Sequence, residues 1–422
     1  MNKNHTSNNI PDLRFSEFQL GWENKLFDEI FSFRSTNSFS REMLCYEFGT
    51  IKNIHYGDIH TQFNKHFDIT KETVPFVSNE IDLSKIPIDN YCKEGDLVIA
   101  DASEDYADIG KCLEIIYLNN EKVIAGLHTI IARPDKYKMH IGFNAHLMQS
   151  NNIRLQIKKI AQGTKVLSIS AIRLSKMIVT FPSLPEQQKI ASFLTTVDDK
   201  LQALKKKKNL LEQYKKGIMQ KIFSQEIRFR DNNGKEFPKW KKSALGDVLN
   251  KNSTKNKKCN YTLVQSVSNK HGFVNQDEYF EDRVIASKDL SGYYVITKGT
   301  FAYNPSRIDV GSLAYKKDEA ISVVSPLYVS FRTKENISDL YLLNWFFSEG
   351  FIKQMNSSFE GSVRHTLSYD ALSKIIVCYP TIDEQNRIVN FLTAIDDKIN
   401  HCQTQIDKTE LWKKGLLQRM FC

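Results

Sequence analysis

The chain has 422 residues, of which 41% are hydrophobic and 25% charged, and Lys plus Arg number 58 against 49 Asp plus Glu. That length holds two or three domains, that composition excludes wholesale disorder, and the basic surplus favours an acidic partner. No run approaches the ~18 apolar residues of a membrane span, and the polar stretch Met1–Asn9 lacks the apolar core of a signal peptide.

In chain order, a leading segment at 11–22 carries Leu13-Arg14-Phe15 and then Trp22. From about 20 to 140 the pattern is strand-rich, with short runs such as Asp96–Ala100 and Lys122–Ala125 punctuated by Gly, Pro and Asn. A helix around 141–160 closes this region. Next, over 163–224, Ser183 and Glu186 have the spacing of a capping box. Apolar residues then recur at steps of four and three: Ile190, Leu194, Val197, Leu201, Leu204, Leu211, Ile218 and Ile222. That stripe is a coiled-coil seam, interrupted by Lys208 and Lys215. The order then starts again. Ile227-Arg228-Phe229 and Trp240 echo the leading segment, and a second strand-rich region covers about 238–335 with the runs Gly299–Tyr303 and Leu327–Phe331. A helix follows around 339–357. A second seam follows Thr381 and Glu384, through Ile388, Leu392, Ile395, Ile399, Cys402, Ile406, Leu416 and Met420, broken by Thr409 and Lys413.

The chain is thus a duplicated unit. Residues 163–224 align without a gap on 361–422, and 23 of the 62 aligned positions are identical, Glu186-Gln187 on Glu384-Gln385 and Asp198-Asp-Lys200 on Asp396-Asp-Lys398 among them. Two apolar stripes in one chain can bury each other, and an antiparallel pair is the simplest way for the first helix to carry the chain between the two variable regions. The end of the first copy runs straight into Ile227-Arg-Phe229, whereas the second copy meets its leading segment only at residues 11–22. The layout is a ring opened at one point, which puts residues 11–22 close to the second copy's end.

The variable regions share a frame but not their polar side chains. After the matched Gly95 and Gly299, one region has Asp101, Ser103 and Glu104 before Asp108-Ile-Gly110, and the other has Asn304, Ser306 and Arg307 before Asp309-Val-Gly311. Arg307, Lys270 and Asn304 suit guanine or adenine edges, and Asp101 or Glu104 suits cytosine N4. His55, Tyr56, His60 and Thr61 form a further polar stretch that fits a groove. Lysine-rich stretches at 205–208, 239–242 and 251–258 fit contact with a phosphate backbone.

Catalytic signatures are missing from the sequence. There is no Gly-x-Gly and no P-loop, and Asn304-Pro-Ser-Arg307 lacks the second proline and the aromatic residue of an amino-methyltransferase motif. Seven scattered cysteines without metal-ligand spacing fit reduced thiols in the cytoplasm, and no metal or other cofactor is expected. Two other classes stay open: a self-contained modification enzyme or nuclease with degenerate motifs, and a scaffold that gathers partners without reading DNA.

The duplicated Leu-Ser, Pro, Glu-Gln, Phe-Leu, Asp-Asp-Lys and Lys-Lys-Gly segments, each following an unlike strand-rich region, resemble the specificity subunit of Type I restriction–modification systems. Tyr56–Thr61, Ala125–Thr129 and Tyr303–Ser312 add to the resemblance. It implies an α+β fold: two target-recognition domains separated by two long helices in an antiparallel coiled coil, with pseudo-twofold internal duplication. The divisions expected are 1–162 for the first target-recognition domain, 163–224 for the first repeated helix segment, 225–360 for the second domain and 361–422 for the second repeat. The resemblance implies a subunit without catalysis of its own. It would bind double-stranded DNA, two methyltransferase subunits and, in a full complex, restriction subunits, and no membrane. S-adenosylmethionine, ATP and magnesium would belong to those partners.

Overall fold

The two apolar stripes become single helices, Leu184–Phe223 of 40 residues and Ile382–Arg419 of 38. Every residue expected in the seams is buried or half-buried, including Lys208, Lys215, Thr409 and Lys413, while most positions between them are exposed. The computed structural model describes residues 9–269, 271–276, 289–360 and 365–422. It divides into two units, Met1–Lys205 with Thr404–Cys422, and Lys206–Gln403. Each unit holds one strand-rich domain and one half of each long helix.

In the first unit, Ile190, Leu194 and Val197 near the start of the first helix share a core with Leu416 and Met420 at the end of the second. In the second unit, Met219 and Ile222 near the end of the first helix share a core with Ile388 and Leu392 near the start of the second. Within each unit the helices therefore run antiparallel. Each apolar side chain so buried contributes roughly 1.5–3 kcal/mol relative to exposure, which neither stripe gains alone.

In the first unit, a five-stranded sheet has the order Phe31–Arg34, Thr129–Pro134, Leu97–Ala100, Cys112–Tyr117, His66–Asp68. A four-stranded sheet runs Val123–Ala125, Lys52–Ile54, Phe76–Val77, Leu44–Cys45. In the second unit, a four-stranded sheet has the order Leu249–Lys251, Val329–Thr333, Phe301–Tyr303, Leu313–Tyr315. Two antiparallel pairs accompany it, Gln265–Ser268 with Gly272–Asn275 and Tyr294–Ile296 with Ser322–Val324. The helices that close the domains are each split in two, Asn144–Gln149 and Asn151–Ile160, then Asp339–Trp345 and Glu349–Ser357. A buried serine precedes the second piece in both, Ser150 and Ser348, where the chain leaves helical geometry.

The same joints attach each domain to its helix. Glu23–Leu26 pairs antiparallel with Ile178–Phe181, and Lys241–Ala244 pairs in the same way with Ile376–Tyr379. Glu186 does not complete a capping box. Its carboxylate accepts from Arg14 Nε and Nη2, both at 2.7 Å, and from Trp22 Nε1 at 3.3 Å. Glu384 accepts from Arg228 Nε at 3.2 Å and Nη2 at 2.7 Å. Beside each glutamate lies a buried glutamine. Gln187 accepts from His140 N at 2.8 Å and donates to Lys138 O and Pro182 O. Gln385 accepts from Ser338 N at 2.7 Å and donates to Asn336 O and Pro380 O. The repeated Glu-Gln pair is the clasp between helix start and domain. The helices also carry crossed ion pairs. Lys413 meets Asp198 at 2.6 Å in the first unit and Lys215 meets Asp396 at 2.6 Å in the second, each joining a lysine of one copy to an aspartate of the other.

Candidate nucleic-acid interface

In the first domain, much of the expected polar set gathers around one short helix, Tyr56–Thr61. His55 is its N-cap, buried, with Nδ1 accepting from Gly57 N at 3.1 Å. Burial first, and the neighbouring Arg41 second, hold His55 below the usual histidine range. Its ring is therefore committed to the helix start. Tyr56 is half-buried with its ring between others, 4.7 Å from His55, 6.3 Å from His60 and 5.3 Å from His128. His60 Nε2 donates to Ala102 O at 3.0 Å, which ties the helix to the chain after the strand Leu97–Ala100, where a turn at Asp101 leads into the short strand Ala102–Ser103. Thr61 is exposed and bonds its own helix at Gly57 O.

Asp101 stands in that turn, half-buried, and its Oδ1 lies 3.2 Å from His128 Nδ1. Burial pushes the Asp101 carboxyl up from its ordinary value, while His128 pulls it down. Ser103 is buried at the end of the short strand Ala102–Ser103 and exchanges bonds with Asp105, so it anchors the acidic loop that follows. Glu104 is exposed. The acidic loop leans on the helix Asn151–Ile160, where Arg154 Nη2 donates to Ala107 O and Ile109 O.

Several residues that shape this surface carry no signal in the sequence pattern. Arg41 holds Asp58 through two bonds of 2.9 and 2.7 Å, which fixes the helix from outside. His128 lies within Ala125–Thr129, where no spacing sets it apart. It is exposed and takes a left-handed φ of 55°. That conformation, which no side-chain pattern encodes, decides where its imidazole points.

In the second domain, Asn304, Ser306 and Arg307 lie on the loop between strands Phe301–Tyr303 and Leu313–Tyr315. Asn304 Oδ1 accepts from Ser306 N at 3.0 Å, and Arg307 N donates to Asn304 O, so the loop is a self-bonded turn. Gly311 closes it at φ 88°, as Gly110 closes the first domain's loop at φ 67°. Arg307 and Ser306 are exposed, whereas Asn304 is half-buried. Lys270 lies outside the described residues. The strand Gln265–Ser268 abuts this loop, since Ser312 Oγ donates to Val267 O at 3.4 Å. The two domains thus present different chemistry at matched places: a histidine–tyrosine–carboxylate surface in one, and an arginine on a tight turn in the other. Among the described residues no group of His, Cys, Asp and Glu is arranged to hold a metal, and no helix is long and apolar enough to cross a membrane.

The sequence profile of the type I restriction modification DNA specificity domain matches residues 20–213 and again 238–410. A protein of Methanocaldococcus jannaschii named as a type I restriction enzyme specificity subunit, MjaX, is 23% identical over 328 residues, 70% of this chain and 71% of that protein. The MjaIX specificity subunit of the same organism is 29% identical over 119 residues, 26% of this chain and 28% of that subunit. Among solved structures, the S subunit of a type I restriction–modification system from M. genitalium superposes with a TM-score of 0.57 at 13% identity, over 98% of this chain and 99% of that one. A chain from a study of complex assembly and conformational transition in the type I system gives 0.55 at 14% identity, over 96% and 98%.

Proposed function

This chain belongs to the type I restriction modification DNA specificity family, whose profile it matches twice, and on that premise we propose that it reads a two-part DNA sequence, one part with each strand-rich domain. The target-recognition domains are 1–162 and 225–360, and the repeated segments 163–224 and 361–422 hold them apart. At ~1.5 Å per residue, helices of 40 and 38 residues reach roughly 60 Å, more than one turn of B-DNA at about 34–36 Å. The helices act as the ruler for the gap and as the docking place for two methyltransferase subunits. Restriction subunits join in a full complex in the cytoplasm, and the chemistry belongs to those partners. The observation that carries this reading is a single frame used twice, with the same Glu-Gln clasps and glycine turns, bearing Arg307 in one copy and the His128–Asp101 pair in the other.

Within the first domain, Tyr56, His60, Thr61, Asp101 and Glu104 stand on or beside the surface proposed to face DNA, with His55 and Ser103 shaping it from beneath. In the second, Arg307 and Ser306 are the outward groups, with Asn304 holding their turn. The test is to co-express the chain with its methyltransferase partner and map methylated adenines across the host genome. A split motif around an unspecified gap is expected. An unbroken motif would overturn the two-domain reading, and no methylation from an assembled, active complex would leave only a scaffold. Lengthening both helices by one heptad should widen the gap and keep both defined parts; an unchanged gap would defeat the ruler.

A further inference from the structure

The His128 imidazole is presented at the surface of the first domain, and its position rests on contacts with separate pieces of that domain. It sits at φ 55°, a region that L side chains rarely occupy because the Cβ crowds the following carbonyl oxygen. The segment around it is fixed. Asp101 N donates to His128 O at 3.0 Å, and Gly126 N donates to Ile54 O at 2.8 Å. A Cβ at Gly126 would stand 2.5 Å from Nδ2 of the buried Asn53, so a side chain there would have to push Asn53 aside. On this fixed backbone the imidazole is held at one end and free at the other. Nδ1 bonds the Asp101 carboxylate at 3.2 Å, and the ring meets the Tyr56 ring at 5.3 Å with 77° between planes. Among the described residues Nε2 has no partner, and the side chain is 50% exposed.

Resting on the DNA-reading function proposed above, we infer that the His128 imidazole, oriented by Asp101 and Tyr56, contacts a base edge in the part of the site read by the first domain. Rigid presentation of one free ring nitrogen suits a base edge, whose donors and acceptors are fixed in the groove. A phosphate is the poorer ligand. Asp101 touches the ring directly, and the exposed carboxylates of Glu104 and Asp105 follow within the same turn, so a second anion would be repelled. Asp101 and Tyr56 act here as positioning residues.

The test replaces His128 in the intact chain within the methyltransferase complex and reads the methylated motif genome-wide. Glycine is the informative substitution, because it removes the imidazole and relieves the left-handed backbone. His128→Gly is expected to relax one position in the first domain's half of the motif, with roughly a ten- to hundredfold loss of discrimination there. The second half and the gap should not change. Asp101→Ala, which frees the ring, should relax the same position more weakly. Wild-type motif retained in H128G overturns the inference, and so does a uniform drop in methylation with no change of motif, the sign of a phosphate contact. Absence of any split motif from the wild-type complex is a different result, since it refutes the DNA-reading function itself.

Discussion

Glu114 is fully buried and Lys65 largely buried in the first unit, and each ionisable group gives its own test. Glu114 takes three donors: Gly142 N and Asn144 Nδ2 on Oε1 and Ala145 N on Oε2, each at 2.8 Å. Burial still pushes its carboxyl up to about 7 against those donors. Glu114→Gln puts an amide N–H where a donor already points, and a buried group left unsatisfied costs about 1–3 kcal/mol. A loss of that size should appear in denaturant unfolding at neutral pH. Lys65 bonds Asp198 at 2.5 Å and donates to His146 Nδ1 at 2.8 Å. Burial, then repulsion from Lys413, brings its amine down to about 8 from 10.5. Below pH 8 both folded and unfolded chains keep this proton, so the cost of burying the charge is constant. Between 8 and 10.5 only the unfolded chain holds it, and stability rises with pH in that window. The stability of wild type minus that of Lys65→Met should therefore climb from pH 8 to 10.5. Buried Cys92 and Cys112, whose thiols burial pushes up, oppose this in wild type and variant alike and cancel in the difference. A flat difference would mean that Lys65 keeps an ordinary amine in the fold.

At the scale of elements, the clasps can be tested one set of bonds at a time. Leucine in place of Gln187 leaves His140 N, Lys138 O and Pro182 O without their bonds, and leucine in place of Gln385 does the same to Ser338 N, Asn336 O and Pro380 O. Each substitution should cost about 2–5 kcal/mol by orphaning buried backbone groups. Thermal melts should show similar losses for the two. The tryptophans should differ: Trp22 Nε1 reaches Glu186, whereas Trp240 Nε1 is buried without a partner among the described residues. Much of this level was legible in the sequence. The four-and-three spacing from Ile190 to Ile222 is a local signal, and burial follows it residue by residue. The Ser183–Glu186 spacing misled, because a glutamate three residues into a helix serves a capping box or a distant arginine equally well, and Arg14 lies 172 residues away. Sheet order was not legible for the same reason. Phe31–Arg34 lies beside Thr129–Pro134, and no local periodicity encodes that pairing. The polar stretch at 55–61 was found, yet its roles divide by burial, which composition does not reveal: His55 is spent on a cap and Thr61 is left at the surface.

At the scale of the whole molecule, the opened ring has a bond-by-bond counterpart. Ile227 N donates to Lys221 O at 3.1 Å where the first copy runs into the next leading segment. Leu13 N donates to Arg419 O at 2.7 Å, and those residues correspond to Ile227 and Lys221 in the repeat. Ile227 follows Lys221 by six positions, and Leu13 follows Arg419 by the same six if Cys422 is joined directly to residue 11. The joint needs one further change. Gln225, the counterpart of Pro11, sits at φ 64°, where a proline ring fixed near −65° cannot go. A permuted chain that omits residues 1–10, links Cys422 to glycine in place of Pro11, and opens at the exposed turn Asn232-Asn-Gly234 loses the bond from Trp22 N to Asn9 O and those of the opened turn, and keeps the bonds from Leu13 to Arg419 and from Ile227 to Lys221. Such turns tolerate new termini because little buried backbone is disturbed. The permutant should be soluble and monodisperse by gel filtration, melting within a few degrees of the parent. The same permutant that keeps Pro11 should melt lower, because its joint must leave the left-handed turn. Equal melting of the two would show that the bond from Leu13 to Arg419 does not depend on that turn, and insoluble protein from both would show that the leading segment cannot be supplied from the other end of the repeat.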